Sequence, residues 1–133
     1  MAAASLTGCS SLNENAVVAT VDGDEITADV ANFYARYTQA QYETYMAQYL
    51  GEDMWSNEGE SGETYETSVK ESILESLENM YLLEDHMEEY EITVSDEEKQ
   101  KIADAAAEFV EANDEADAKK VSGSQETVER ALT

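Results

Sequence analysis

Between Thr64 and Glu89 the apolar residues recur at helical spacing, and this stretch constrains the fold more than any other. Tyr65, Val69, Ile73, Leu77, Met80, Leu83 and Met87 form one stripe, widened by Leu74 and Tyr81. Glu66 and Glu84 fall near the edge of the stripe, so its burial is imperfect there. His86 points away from it and has no Ser, Cys or metal-ligand neighbour, which makes it ordinary surface rather than a catalytic base. The chain contains no proline. Long uninterrupted helices are therefore permitted throughout.

A second stripe precedes the first. From about Ala28 to Leu50, Val30, Phe33, Tyr34, Tyr37, Gln41, Tyr45 and Gln48 share one helical face, with Tyr42 and Tyr49 on its flank and Gly51 as a stop. This face is apolar in body and hydroxylated at its rim, the character of a half-buried core face more often than of a ligand groove. Upstream, the β-branched run Val17-Val18-Ala19-Thr20-Val21 meets Asp22-Gly23, a strong hairpin signal, with Glu25-Ile26-Thr27 as the return strand. Thr27 suits a helix N-cap, and Asp29 complements the dipole of the first turn.

Residues 52–63, which include Trp55, read as a loop, and Glu91 to Val94 as a short extended link. Ser95-Asp96-Glu97-Glu98 is a capping box opening a third helix to about Asn113, with Ile102, Ala106, Phe109 and Val110 on one side. The stretch 114–125 is weaker. Gly123-Ser124 breaks it, and a last helix from Glu126 carries Val128, Ala131 and Leu132. The expected fold class is mainly α: long amphipathic helices packed together, with a short N-terminal β-hairpin. At 133 residues there is room for one domain.

The charge is lopsided, with 31 acidic residues against 7 Lys and Arg, for a net charge of −24. Charge runs of this kind ordinarily only solvate helix faces. Beyond that, the chain should repel nucleic acid and attract a cationic partner. No cofactor is expected. The lone cysteine and lone histidine allow no disulfide, nucleophilic triad or Cys/His metal cluster. Gly51, Gly59 and Gly62 do not make a phosphate loop. Asp22-Gly23-Asp24 hints at a calcium loop, but positions 5, 6 and 12 of an EF-hand would hold Ile26, Thr27 and Phe33. Carboxylates are so abundant that their pairing specifies no acid/base chemistry. No apolar run approaches the ~20 residues of a membrane span.

At the amino terminus, small and apolar residues lead to Leu6-Thr7-Gly8-Cys9, followed by polar Ser10 and Ser11. This closely resembles the lipobox of bacterial lipoproteins. The resemblance implies cleavage before Cys9 and a diacylglyceryl group on its thiol. Residues 1–8 are then a remnant of a signal peptide whose true start lies upstream, and residues 9–16 are the lipidated cysteine and its spacer. Acyl chains contribute roughly 0.8 kcal/mol per buried CH2, so such an anchor would hold firmly.

Three segments in order carry a second resemblance. Val17 to Thr27 leads into an amphipathic helix; Lys70-Glu71-Ser72-Ile73-Leu74-Glu75-Ser76-Leu77 continues through Leu83; Glu91-Ile92-Thr93-Val94-Ser95-Asp96-Glu97-Glu98 follows. This order is similar to the N-terminal chaperone domain of the SurA/PrsA-type foldases. The likeness spans roughly Val17 to Ile102, within a domain taken as 17–133 and truncated at its C-terminal end. Two departures stand out. Asp22 replaces the family's usual Asn, and Glu91 stands where the family often has Gly, so the exit from the long helix is expected to differ.

The resemblance implies an extracytoplasmic, membrane-anchored chaperone or foldase domain that binds unfolded or nascent exported proteins, basic ones favoured by the acidic surface. Contact would be weak and multivalent, through an aromatic cleft drawn from Phe33, Tyr34, Tyr37, Tyr45, Tyr49, Met80 and Met87. Tethering at Cys9 would raise the local concentration where clients emerge. The family often carries a parvulin-type peptidyl-prolyl isomerase domain, for which too little chain remains, so any such activity would lie beyond Thr133. The alternatives are the front part of that isomerase, or a structural or solute-binding lipoprotein with an unrelated helical fold.

Overall fold

The computed structural model describes residues 12–51, 53–59 and 62–133. Cys9 and the lipobox lie outside the described residues. The expected architecture is present: a two-stranded antiparallel hairpin followed, among the described residues, by six α-helices.

Strands β1 (Val17–Val21) and β2 (Asp24–Thr27) are joined by Asp22-Gly23. Both turn residues have positive φ, +48° and +112°, as a two-residue turn of the primed type requires. Asp22 serves here because a short polar side chain tolerates the left-handed region. The register pairs Val21 with Asp24 and Ala19 with Ile26, and slips between Val17 and Ala19. Val18 is the extra residue and stays exposed. The slip keeps Ala19, Val21 and Ile26 directed at the helices.

Helix α1 (Ala28–Tyr45) begins at Thr27, which occupies the N-cap position but makes no capping bond with its side chain. The orphan N–H groups of the first turn find other acceptors: Ala28 N–H donates to the Ala16 carbonyl (2.8 Å) and Asp29 N–H to the Glu14 carbonyl (3.1 Å). Residues 13–16, read as spacer, thus cap a helix. The first helix stops at Tyr45 rather than Leu50. The helix is interrupted at Met46, whose backbone is still right-handed (φ −108°, ψ −23°), a single turn α2 (Ala47–Leu50) follows, and Gly51 ends it at φ +85°. A 3-10 turn at Met54–Ser56 buries Met54 to 1% exposure and sets Trp55 against Tyr42 and Tyr65.

Helix α3 (Tyr65–Asp85) is capped by the Thr64 hydroxyl, which accepts from Thr67 N–H. It ends four residues before Glu89, in turns that carry Glu91 at φ +57°. The residue that stands in place of the family's glycine thus adopts the left-handed backbone that glycine takes freely. Helix α4 (Asp96–Ala112) opens with the predicted capping box: Glu98 N–H donates to Ser95 Oγ, and Ser95 N–H donates to the Glu98 carboxylate. The Ser95 hydroxyl also donates to Glu98 Oε2 (2.6 Å), and that bond, followed by the one from the Ser95 N–H, holds the Glu98 carboxyl below its usual value.

Helices α5 (Glu115–Lys120) and α6 (Gln125–Leu132) bring the chain back. Between them Ser122 takes φ +52°, and Gly123 lies so close to Phe109 that a Cβ there would meet its ring at 2.6 Å. Helix α6 packs on both α1 and α4. Val128 and Ala131 are buried as expected, while Leu132 is exposed. The central core is Ile26, Val30 and Leu77, flanked by Ala19, Val21, Ala31, Ile73 and Tyr81. Each fully buried side chain of this size stabilises by about 1.5–3 kcal/mol.

Candidate functional site

The start of α1 is fastened to the end of the chain by polar side chains. Asp29 is buried, and its Oδ2 accepts from Thr127 Oγ1 (2.8 Å) and Arg130 Nη1 (3.2 Å). Thr27 Oγ1 donates to the other Asp29 oxygen and accepts from Arg130 Nη2 (2.8 Å). Burial works against the charge on Asp29. The hydroxyls of Thr27 and Thr127, the Val30 N–H and the Arg130 guanidinium outweigh it and hold the carboxyl below its ordinary value. One turn on, Asn32 donates to Ser122 Oγ (3.0 Å) and to the Lys120 carbonyl (3.1 Å). Tyr34 donates to the Ala131 carbonyl (2.7 Å).

Beside this closure lies an open apolar groove of about 400 Å³. Val30, Tyr34, Leu77 and Tyr81 floor it. Met80 and Leu83 rise from α3, while Met87, Tyr90 and Ile92 come from the segment after it. Arg130 and Thr133 complete the lining from the last helix and the residue after it. Its walls are uncovered: Leu83 is 70% exposed and Tyr90 67%. The groove exists because α3 stops at Asp85 while its apolar stripe continues. Four successive apolar residues, Met80 to Leu83, also cannot share one helix face when each turns about 100° from the last.

Burial, and then the neighbouring Tyr81, push the Tyr34 phenol above its ordinary value, so it remains a neutral donor to Ala131. His86 sits at the groove's edge, contrary to the expectation that it points away from the stripe. The chain leaves helical geometry at that residue, so helical phase no longer predicts its direction. Its Nδ1–H donates to the Leu82 carbonyl (3.0 Å), and no nucleophile is bonded to it. Among the described residues no three His, Cys, Asp or Glu side chains gather as a metal site.

A second, shallower groove of about 270 Å³ runs between α1 and α3, lined by Tyr34, Tyr37, Thr38, Tyr42, Val69, Ser72, Ile73 and Ser76. Tyr34 therefore stands between the two. Of the residues expected to contact a bound chain, Tyr34, Met80 and Met87 meet in the larger groove, and Tyr37 lies in the smaller one. Phe33 does not join them. Its ring packs edge-on against Phe109 at 5.4 Å, on the side facing α4. Tyr45, the last residue of α1, and Tyr49 in α2 are exposed and line neither groove.

Leu83, Tyr90 and Ile92 were not anticipated in the site. The apolar run from Met80 to Leu83, too wide for one stripe, was the signal that part of this surface stays open. Carboxylates crowd nearby: Asp24, followed by the charge of Asp22, holds the Asp85 carboxyl above its usual range.

Residues 2–123 match the family model of the SurA-like N-terminal domain. No curated protein and no solved structure matches the chain. The chain belongs to the SurA-like N-terminal domain family, a chaperone-type domain family. All of α6 (Gln125–Leu132) lies beyond the matched span.

Proposed function

We propose that this chain is the client-holding domain of an extracytoplasmic chaperone, tethered to a membrane by lipid on Cys9. It binds unfolded stretches of exported proteins without any covalent step. The observation that carries this reading is the uncovered groove, where Met80, Leu83, Tyr90 and Ile92 keep apolar surface in water beside a well-packed core. A contiguous apolar patch rimmed by polar residues is the usual mark of an interaction site. Methionine adapts to varied partners, and tyrosine supplies area at low entropic cost. These are properties a binder of many sequences needs. The anchor at Cys9 rests on the lipobox resemblance and raises the local concentration where clients emerge.

The test is suppression of aggregation. Light scattering from a chemically unfolded exported protein should fall when the chain is added in excess, and should not fall with a Met80→Ser, Leu83→Ser, Ile92→Ser triple variant. Equal protection by that variant, or none by the wild type against several clients, would overturn the groove's role. For the anchor, cells fed a labelled lipid precursor should label the full-length protein, and Cys9→Ser should abolish the label.

A further inference from the structure

Resting on the groove's role as a binding site, we infer that it selects segments in which apolar anchors are flanked by lysine or arginine. The segment that closes α3 and forms one wall is Glu84-Asp85-His86-Met87-Glu88-Glu89-Tyr90-Glu91. Its apolar members Met87 and Tyr90 line the groove, as does Glu84. Around them stand Asp85, Glu88, Glu89 and Glu91, all exposed. None of these five acids is in an ion pair among the described residues, whose ion pairs are Lys70–Glu66, Lys101–Glu97, Lys120–Asp117 and Arg130–Asp29. No lysine or arginine occurs between Lys70 and Lys99. The one cation in the lining, Arg130, is committed to Asp29 and Thr27 and does not neutralise the rim.

An apolar floor with an unneutralised acidic wall is the complement of a cationic amphipathic segment. Neutral apolar segments gain only the floor, and acidic ones are repelled. Each exposed pair formed with the rim multiplies affinity by a modest factor, about 1.4 to 5. Several together amount to tenfold or more at low salt. The effect fades at about 1 M salt, where the screening length is about 3 Å. It differs from the pull of the chain's overall charge of −24, because it needs the anchors and the rim together.

The experiment measures binding of labelled peptides to the full chain by fluorescence anisotropy. The probes share apolar anchors and carry flanking lysines, glutamines or glutamates, and a fourth has the lysines without the anchors. The lysine-flanked peptide should bind about tenfold tighter than the glutamine one at low salt, and the anchorless one far more weakly. The rim variant Glu88→Gln, Glu89→Gln, Glu91→Gln, which spares the groove lining, should erase most of the lysine advantage and leave the glutamine peptide unchanged. Equal affinity for lysine and glutamine peptides overturns the selectivity while the client-holding reading stands. A lysine advantage that survives the rim variant also overturns it, assigning the attraction to acids elsewhere. Failure of every anchored peptide to bind, together with no suppression of aggregation, overturns the client-holding reading itself.

Discussion

Two neighbouring regions share Val30, Tyr34 and Arg130 yet treat apolar surface in opposite ways. In the closure, where the hairpin and α1 meet α6, Ile26, Val30, Val128 and Ala131 are sealed from water. In the groove, Leu83, Tyr90 and Ile92 stay uncovered. The difference lies in what fixes a partner. Asp29, Asn32 and Tyr34 each reach across about ninety residues of chain to bond the C-terminal segment, and so hold α6 against α1. At the end of α3 the bond to another element joins like-charged groups, Asp85 to Asp24 of β2, and leaves the groove uncovered. Covering apolar surface takes directional bonds that hold an element over it as well as area, and where no element is held there the surface remains available to another molecule.

The sharpest way to break this contrast is to truncate each side of it. Leu77→Ala, in the central core beneath the groove and 1% exposed, should cost about 2–5 kcal/mol in urea unfolding. Leu83→Ala, a few residues on, should change stability by no more than about 0.5 kcal/mol. Comparable losses at the two positions would mean that the groove is closed in solution.

Gly123→Ala tests how tightly the closure is packed. Its Cβ would sit 2.6 Å from the Phe109 ring and 3.1 Å from Val121 Cγ2, so the α4–α6 contact must shift. A loss of about 1–3 kcal/mol is expected. Thermal unfolding reads it directly, and an unchanged midpoint would show that the α5–α6 connection is loose.

Asp29→Asn removes the charge from the polar clasp and should cost about 1–2 kcal/mol near neutral pH, discounted because Arg130 is partly exposed. The folded carboxyl titrates below its ordinary value of 3.8. Its stabilisation is therefore complete above that value, and is lost as pH falls through 3.8 toward the lower folded pKa. The gap between wild type and variant should be widest near neutrality and close in acid. Because the chain's many other carboxylates titrate in both proteins, the difference between the two unfolding curves isolates this one. A gap that widens in acid would reverse the assignment.

The smallest effect sharpens the groove side. Glu91 holds φ +57°, a strain that glycine does not feel. Glu91→Gly should stabilise by about 0.5–1 kcal/mol, measurable as a raised urea midpoint. Glu91→Asn should fall between the two, since asparagine tolerates this backbone better than glutamate.

Local chemistry alone was enough for the hairpin, the long helix from Tyr65 and the Ser95–Glu98 capping box. A primed turn needs positive φ at two adjacent residues, and Asp22-Gly23 supplies them; a capping box needs only residues three apart. The same local logic misplaced the first helix's end and the direction of His86, and it placed the N-cap at Thr27 without showing that the backbone of residues 14 and 16 makes the capping bonds. At Met46 no glycine or proline marks the break, and the burial of Met54 behind it comes from contacts that helical periodicity does not describe. Asp29 read as a dipole complement, yet its partners Thr127 and Arg130 lie about a hundred residues away.

What the sequence by itself determined is the class of the molecule: acidic, mainly helical, headed by a hairpin, with the order of segments that marks its family. Spacing along the chain and turn chemistry decide these, because they depend on residues within a few positions of one another. Only the tertiary structure decided which apolar residues are covered. Phe33 went to Phe109, Tyr45 and Tyr49 to the outside, and Tyr34, Met80 and Met87 to the groove. Periodicity states which side chains share a face, but burial depends on what is held against that face. Here that was settled by bonds between the two ends of the chain.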